Sequence, residues 1–134
     1  MAPPAGPAQP ALPIRIDVTS ERGTYAVLVG AGLAASPLGA LKHLGLPAQA
    51  LVVSAPGIWK LHGAPWRGVA GKKGPVLIAD GEKAKVLSTV SRLYDAFNEN
   101  ALDRAATIVA LGGGTIGDVA GFAAATYLRG LKVI

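Results

Sequence analysis

From residue 107 to residue 128 an apolar run gives way to a cluster of glycines and then to a stretch of small residues, an order that admits very few local folds. Residues 107–111, TIVAL, have the length and β-branched content of a buried strand. Gly112-Gly113-Gly114-Thr115-Ile116-Gly117-Asp118 follows, and residues 119–128 read as a slim, nearly all-apolar helix that must be buried or packed against another chain. The heptapeptide is therefore a strand-loop-helix joint. Its glycines leave no Cβ in the way of an anion, and the first turn of the helix offers unpaired N–H groups at the positive end of its dipole. Gly112, Gly114 and Gly117 satisfy G-x-G-x-x-G, the phosphate-cradling pattern of dinucleotide sites, in the context that the pattern requires. Taken alone, the same residues also suit a tight turn with no ligand.

Upstream, residues 14–18 and 25–29 flank Glu21-Arg22-Gly23 and read as a β-hairpin. Residues 32–44 carry a weak helical pattern broken by Pro37 and ended by Gly45 and Pro47. Residues 50–53 form a short buried strand, 58–62 a single helical turn, and 76–79 the next strand. Asp80-Gly81 then turns the chain into its best helix, in which Val86, Leu87, Val90, Leu93, Tyr94 and Phe97 make one apolar face. Strands alternating with helices predict an α/β fold: a Rossmann-like, mainly parallel sheet with helices on both faces and ligands beyond the carboxyl ends of its strands.

Residues 1–13 hold five prolines and no charge, so they lack the basic start of a signal peptide and read as a disordered Pro/Ala-rich tail. Residues 14–134 are the α/β domain, expected to be incomplete at its C-terminal end because Lys132-Val133-Ile134 reads as the start of a strand. The absence of cysteine excludes disulfides and thiolate metal sites and points to the cytoplasm. The net charge of +5 is scattered and aromatics are only 5%, which argues against nucleic acid; Lys72, Lys73, Lys83 and Lys85 read as a solvated rim. Residues 105–128 contain a single charge, Asp118, but three adjacent glycines and an acid costing about 2.5–3.5 kcal/mol at mid-bilayer argue against a membrane span. His43 and His62 are isolated and receive no role.

Each candidate residue has an ordinary reading. Asp118 and Glu82 are first-turn acids, worth about 0.3–1 kcal/mol to a helix dipole, Lys85 is a solvated helix-face lysine, and Arg129 is a cation near a helix C-terminus. A family resemblance sharpens these readings. The run 109–130, VALGGGTIGDVAGFAAATYLRG, closely resembles the cofactor-binding segment of the 3-dehydroquinate synthase family of sugar-phosphate cyclases. Asp80-Gly81-Glu82 with Lys85 is similar to the family's D-G-E-x-x-K segment.

The resemblance implies an NAD site formed by Asp80, Gly81, Glu82, Lys85, Gly113, Gly114, Thr115, Ile116, Gly117 and Asp118, with backbone amides supplying the glycine-loop contacts. Glu82 and Asp118 would accept hydrogen bonds from cofactor hydroxyls, and Lys85 would complement cofactor charge. Arg129 would reach across a homodimer interface to the substrate phosphate or phosphonate. The implied enzyme is a lyase of the shikimate pathway, and so of aromatic amino acid biosynthesis, converting 3-deoxy-D-arabino-heptulosonate 7-phosphate into 3-dehydroquinate and phosphate. By family analogy NAD oxidises a ring hydroxyl, phosphate is eliminated, and the hydride returns before ring opening and an aldol closure. Zinc or another divalent metal and the catalytic residues would lie in a helical domain outside this chain, which alone would be inactive. Rival readings are a valiolone or deoxy-inosose synthase, a polyol dehydrogenase, and a non-catalytic nucleotide-binding or dimerisation fragment. One departure stands out: where the family often has Asp or Asn for the adenosine end, this chain has Ser54-Ala55-Pro56-Gly57, which removes that recognition or leaves it to Ser54 and backbone groups.

Overall fold

The computed structural model describes residues 13–36 and 49–134. Residues 1–12 of the expected tail, and residues 37–44 of the expected first helix, lie outside that range; only a short 3₁₀ turn, Leu33–Ala35, is described there. The chain divides into two compact units, Met1–Gly45 and Leu46–Ile134.

The first unit contains the expected hairpin, with longer strands. β1 (Ile14–Ser20) pairs antiparallel with β2 (Gly23–Val29) from Ile14↔Val29 to Ser20↔Gly23. The Ser20 hydroxyl donates to the Gly23 carbonyl at 3.0 Å, and Gly23 takes a φ of +124° that a side chain would resist. Ile14 and Ile16 on β1, with Tyr25, Val27 and Val29 on β2, are exposed along one face.

The second unit is built on a parallel sheet in the order β4-β3-β5-β6, from β3 (Ala50–Ser54), β4 (Val76–Leu77), β5 (Thr107–Leu111) and β6 (Lys132–Val133). The ladder fixes Ala50 opposite Thr107 and Ser54 opposite Leu111. Both central strands are apolar because both of their faces are covered, as parallel sheets require. Leu51, Val53 and Ile108 join the main core, while Val52 and Val109, pointing the other way, are buried too.

Helix α1 (Pro56–His62) starts with proline in its first turn, where the missing N–H costs nothing, and a 3₁₀ segment, Ala64–Val69, follows with Trp66 buried. Helix α2 (Leu87–Glu99) begins later than the sequence suggests. A 3₁₀ turn, Glu82–Ala84, comes first, and extended Val86 separates the two. Val90, Leu93 and Phe97 are buried as expected, whereas Val86 and Leu87 are exposed. Leu87 keeps helical phase with Val90, yet it stands on the first turn, where no described residue covers it.

Helix α3 (Gly114–Thr126) begins five residues before the expected 119 and stops short of 128. The glycine run does not break it, since Gly112 and Gly113 precede the first helical residue and burial of Ile116 in the core anchors the first turn. No helix of the described residues is long and apolar enough to cross a membrane.

Candidate functional site

The glycine joint takes its shape from one tight contact. A Cβ on Gly112 would lie 2.6 Å from Ile116 Cγ1 and 2.9 Å from its Cβ, so Gly112 is the packing glycine that lets the helix fold back onto the strand. Gly113, Gly114 and Gly117 are different: a Cβ on any of them would meet nothing within 4 Å. They border open space at the mouth of α3. No side chain caps that helix, and its early N–H groups, those of Gly114, Thr115 and Ile116, have no acceptor within the helix. A cradle bounded by glycine and lined with free amides fits the pyrophosphate of a dinucleotide. Thr115 and Ile116 are themselves buried, so they can serve such a ligand only through their backbone.

The strand beneath is braced from its neighbour. The Ser54 hydroxyl, fully buried at the end of β3, donates to the Leu111 carbonyl at 2.7 Å and so ties β3 to the residue just before Gly112. That bond answers one expectation from the sequence: Ser54 is committed inside the fold and is not free to meet an adenosine.

The two motif segments converge on Lys85. Its Nζ sits 2.8 Å from Asp118 Oδ2 and 2.9 Å from Glu82 Oε1, joining the 3₁₀ turn after β4 to the second turn of α3. The Asp118 hydrogen bond first and the Glu82 hydrogen bond second raise the Lys85 pKa above its ordinary 10.5. The stability linked to that shift is present in full below 10.5 and is lost as pH climbs through the raised value. Because the cluster is open to solvent, its value lies in placing three side chains rather than in holding the fold. The local geometry corrects two sequence readings. Asp118 is beyond the first turn of α3, so it is not a dipole-stabilising first-turn acid, and Lys85 lies on the link before α2, not on its solvated face.

Asp80 and Gly81 form the turn that delivers Glu82 and Lys85. Gly81 has a φ of +91°, and its N–H donates to Asp80 Oδ1 at 2.8 Å. Beside Lys85 and Asp118, an apolar cleft of about 260 Å³ opens between α2 and α3, walled by Leu87, Val90, Val119 and Phe122. Among the described residues no group of three or more His, Cys, Asp or Glu side chains could hold a metal ion.

Arg129 does not join this constellation. It follows α3, whose 13 residues carry the chain about 20 Å back from the glycine joint, and it precedes β6, which runs parallel to β5. Arg129 therefore occupies the opposite end of the sheet, where no described carboxylate forms a salt bridge with it. Sequence reasoning missed the Ser54 brace and a hydroxyl pair between Tyr94 and Thr126, because each joins residues far apart in the chain.

Residues 75–134, which hold every one of these candidate residues, match the family model described as 3-dehydroquinate synthase N-terminal. That segment belongs to the 3-dehydroquinate synthase family. The chain is 41% identical over 126 residues to the 3-dehydroquinate synthase of Thermosynechococcus vestitus, an alignment covering 89% of this chain and 34% of that protein. The chain thus spans about a third of the length of the curated relative it matches. Among solved structures, 2-deoxy-scyllo-inosose synthase superposes with a TM-score of 0.71 at 25% identity, over 90% of this chain and 35% of the other. The 2-epi-5-epi-valiolone synthase ValA of Streptomyces hygroscopicus subsp. jinggangensis 5008, with NAD+ and Zn2+ bound, superposes with a TM-score of 0.58 at 30% identity, over 74% and 28% of the two chains. These similarities bear out the expected family and α/β class.

Proposed function

We propose that this chain is the NAD-binding portion of a 3-dehydroquinate synthase, the enzyme that converts 3-deoxy-D-arabino-heptulosonate 7-phosphate into 3-dehydroquinate and phosphate in the shikimate pathway. The observation that carries this reading is the open glycine ridge at the start of α3, set beside Lys85 held between Asp118 and Glu82, within the segment that matches the family. Free amides of Gly114, Thr115 and Ile116 would receive the pyrophosphate, with Gly113 and Gly117 keeping the approach clear. Asp118 and Glu82 would accept from cofactor hydroxyls, while Lys85 keeps two carboxylates from repelling the phosphates. When bound, NAD supplies transient oxidation of a substrate hydroxyl, and this half of the enzyme holds and orients it.

The divalent metal and the groups that handle protons belong, on this reading, to parts of the enzyme outside this chain. The complete enzyme is read as a cytoplasmic homodimer. Placement of Arg129 at the far end of the sheet supports a contribution to substrate phosphate made across a subunit interface, since it cannot reach the glycine joint of its own chain. Its planar fork suits such an oxyanion.

Isothermal calorimetry with NAD on the 134-residue chain tests the reading. Saturable binding is expected, with Gly114→Asp abolishing it by placing a carboxylate in the cradle and Glu82→Ala weakening it. A folded wild-type chain that releases no heat would limit this portion to a scaffold. A second reading, another sugar-phosphate cyclase, is favoured by the superpositions on 2-deoxy-scyllo-inosose synthase and valiolone synthase. Assaying the full-length enzyme for 3-dehydroquinate, 2-deoxy-scyllo-inosose and 2-epi-5-epi-valiolone formation separates these activities, and net release of NADH would point instead to a polyol dehydrogenase.

A further inference from the structure

Helix α3 hands over to β6 through three consecutive residues with positive φ: Leu128 at 48°, Arg129 at 68° and Gly130 at 115°. Only the glycine adopts such values freely, and two adjacent side-chain-bearing residues in the left-handed region are strained. Persistence of strain requires that the surroundings hold it in place. Both flanks of the corner are pinned. Downstream, buried Leu131 donates its N–H to the Ala124 carbonyl at 2.7 Å, and Lys132 and Val133 pair with Thr107 and Ile108. Upstream, the Tyr127 ring lies against Tyr94, with centroids 5.9 Å apart, and meets Phe97 edge-on at 5.2 Å. The Tyr94 hydroxyl pairs with that of Thr126 at 2.5 Å, and the Thr126 hydroxyl also reaches back to the Phe122 carbonyl at 2.7 Å.

The contacts that hold the corner do not explain its residues. Leu128 is 44% exposed, and Arg129 is exposed with no salt-bridge partner among the described residues, so no ion pair within them repays the strain at Arg129. Glycine at either position would make the same turn at lower cost. What the pinned corner carries to the surface is the exposed Arg129 side chain.

We propose that Tyr94, acting through Thr126 and Tyr127, is a positioning residue that locks the strained corner so that Arg129 presents its guanidinium in one orientation to the phosphate group of a phosphate ester. This rests on the reading of Arg129 as a ligand for substrate phosphate. Tyr94 touches no substrate; it removes conformational freedom that Arg129 would otherwise lose on binding.

Nuclear magnetic resonance of the labelled 134-residue chain tests it with inorganic phosphate as the probe. Three-bond HN–Hα couplings report φ at Leu128 and Arg129, and the Arg129 Nε–Hε signal reports binding. The wild type should show left-handed couplings and a saturable Arg129 shift. Tyr94→Phe keeps the ring stack but loses the hydroxyl, so the couplings should average and phosphate affinity should fall about threefold or more, the effect of one neutral hydrogen bond. Thr126→Val should reproduce both changes. Leu128→Gly, which frees the corner while leaving Arg129 in place, should average the Arg129 coupling and weaken phosphate binding, a loss of affinity that a purely structural corner would not give. Unchanged couplings and affinity in Tyr94→Phe would overturn the role of Tyr94 alone. Absence of any saturable Arg129 shift in the wild type would overturn the presentation to phosphate and the reading beneath it, whatever the couplings do.

Discussion

Gly112 and Gly114 are two residues apart in one motif and do different work. The first is glycine because Ile116 occupies the space a Cβ would need; the second faces open space. Gly112→Ala should therefore destabilise the chain by about 1–3 kcal/mol in urea melts, the usual effect of overpacking a well-filled site. Gly114→Ala should leave stability unchanged or slightly raised, because alanine is the better helix former, yet should weaken NAD binding by about tenfold as its methyl crowds the cradle. Equal loss of stability in both variants would remove the division of labour. The G-x-G-x-x-G spacing was legible in the sequence, but not which of its glycines serves packing, since that depends on where Ile116 points. Lys85 makes the same case: it and Glu82 are neighbours in sequence, but Asp118 reaches Lys85 only because the parallel strands β4 and β5 both finish at the carboxyl end of one sheet.

At the scale of elements, α2 shows how far periodicity can be taken. Its spacing correctly marks Val90, Leu93 and Phe97 as core, and extends wrongly to Val86 and Leu87, because helical phase says nothing about whether a neighbour exists at a given height along the axis. Phe97→Ala should cost about 3–5 kcal/mol by leaving a cavity where the ring is fully buried, whereas Leu87→Ala, at a site 78% exposed, should fall within about 0.5 kcal/mol of wild type. Chemical denaturation of the two variants side by side checks both figures, and a large loss for Leu87→Ala would mean that its face is covered in solution. The start of α3 was misplaced for a related reason. Propensity counts glycines against a helix wherever they fall, but here the run straddles the helix start and burial of Ile116 outweighs the cost of those inside.

For the whole molecule, the main core draws only on residues of the Leu46–Ile134 unit among those described. A chain beginning at Leu46 should therefore keep a single cooperative thermal transition, with Tm moving by less than about 4 °C, the shift that 1 kcal/mol gives a domain of this size. Loss of cooperativity would show that the hairpin belongs to the same folding unit. Sequence alone determined the α/β class, the parallel order implied by strands alternating with helices, the strand-loop-helix joint and its fitness for an anion, because these follow from local propensity and from apolar spacing along a few turns of chain. Tertiary structure alone decided that Lys85 joins Glu82 to Asp118, that Ser54 is spent on Leu111, and that Arg129 stands at the far end of the sheet in a strained corner. Each of those depends on distances between segments that only the packed sheet brings into register, and no local pattern encodes them.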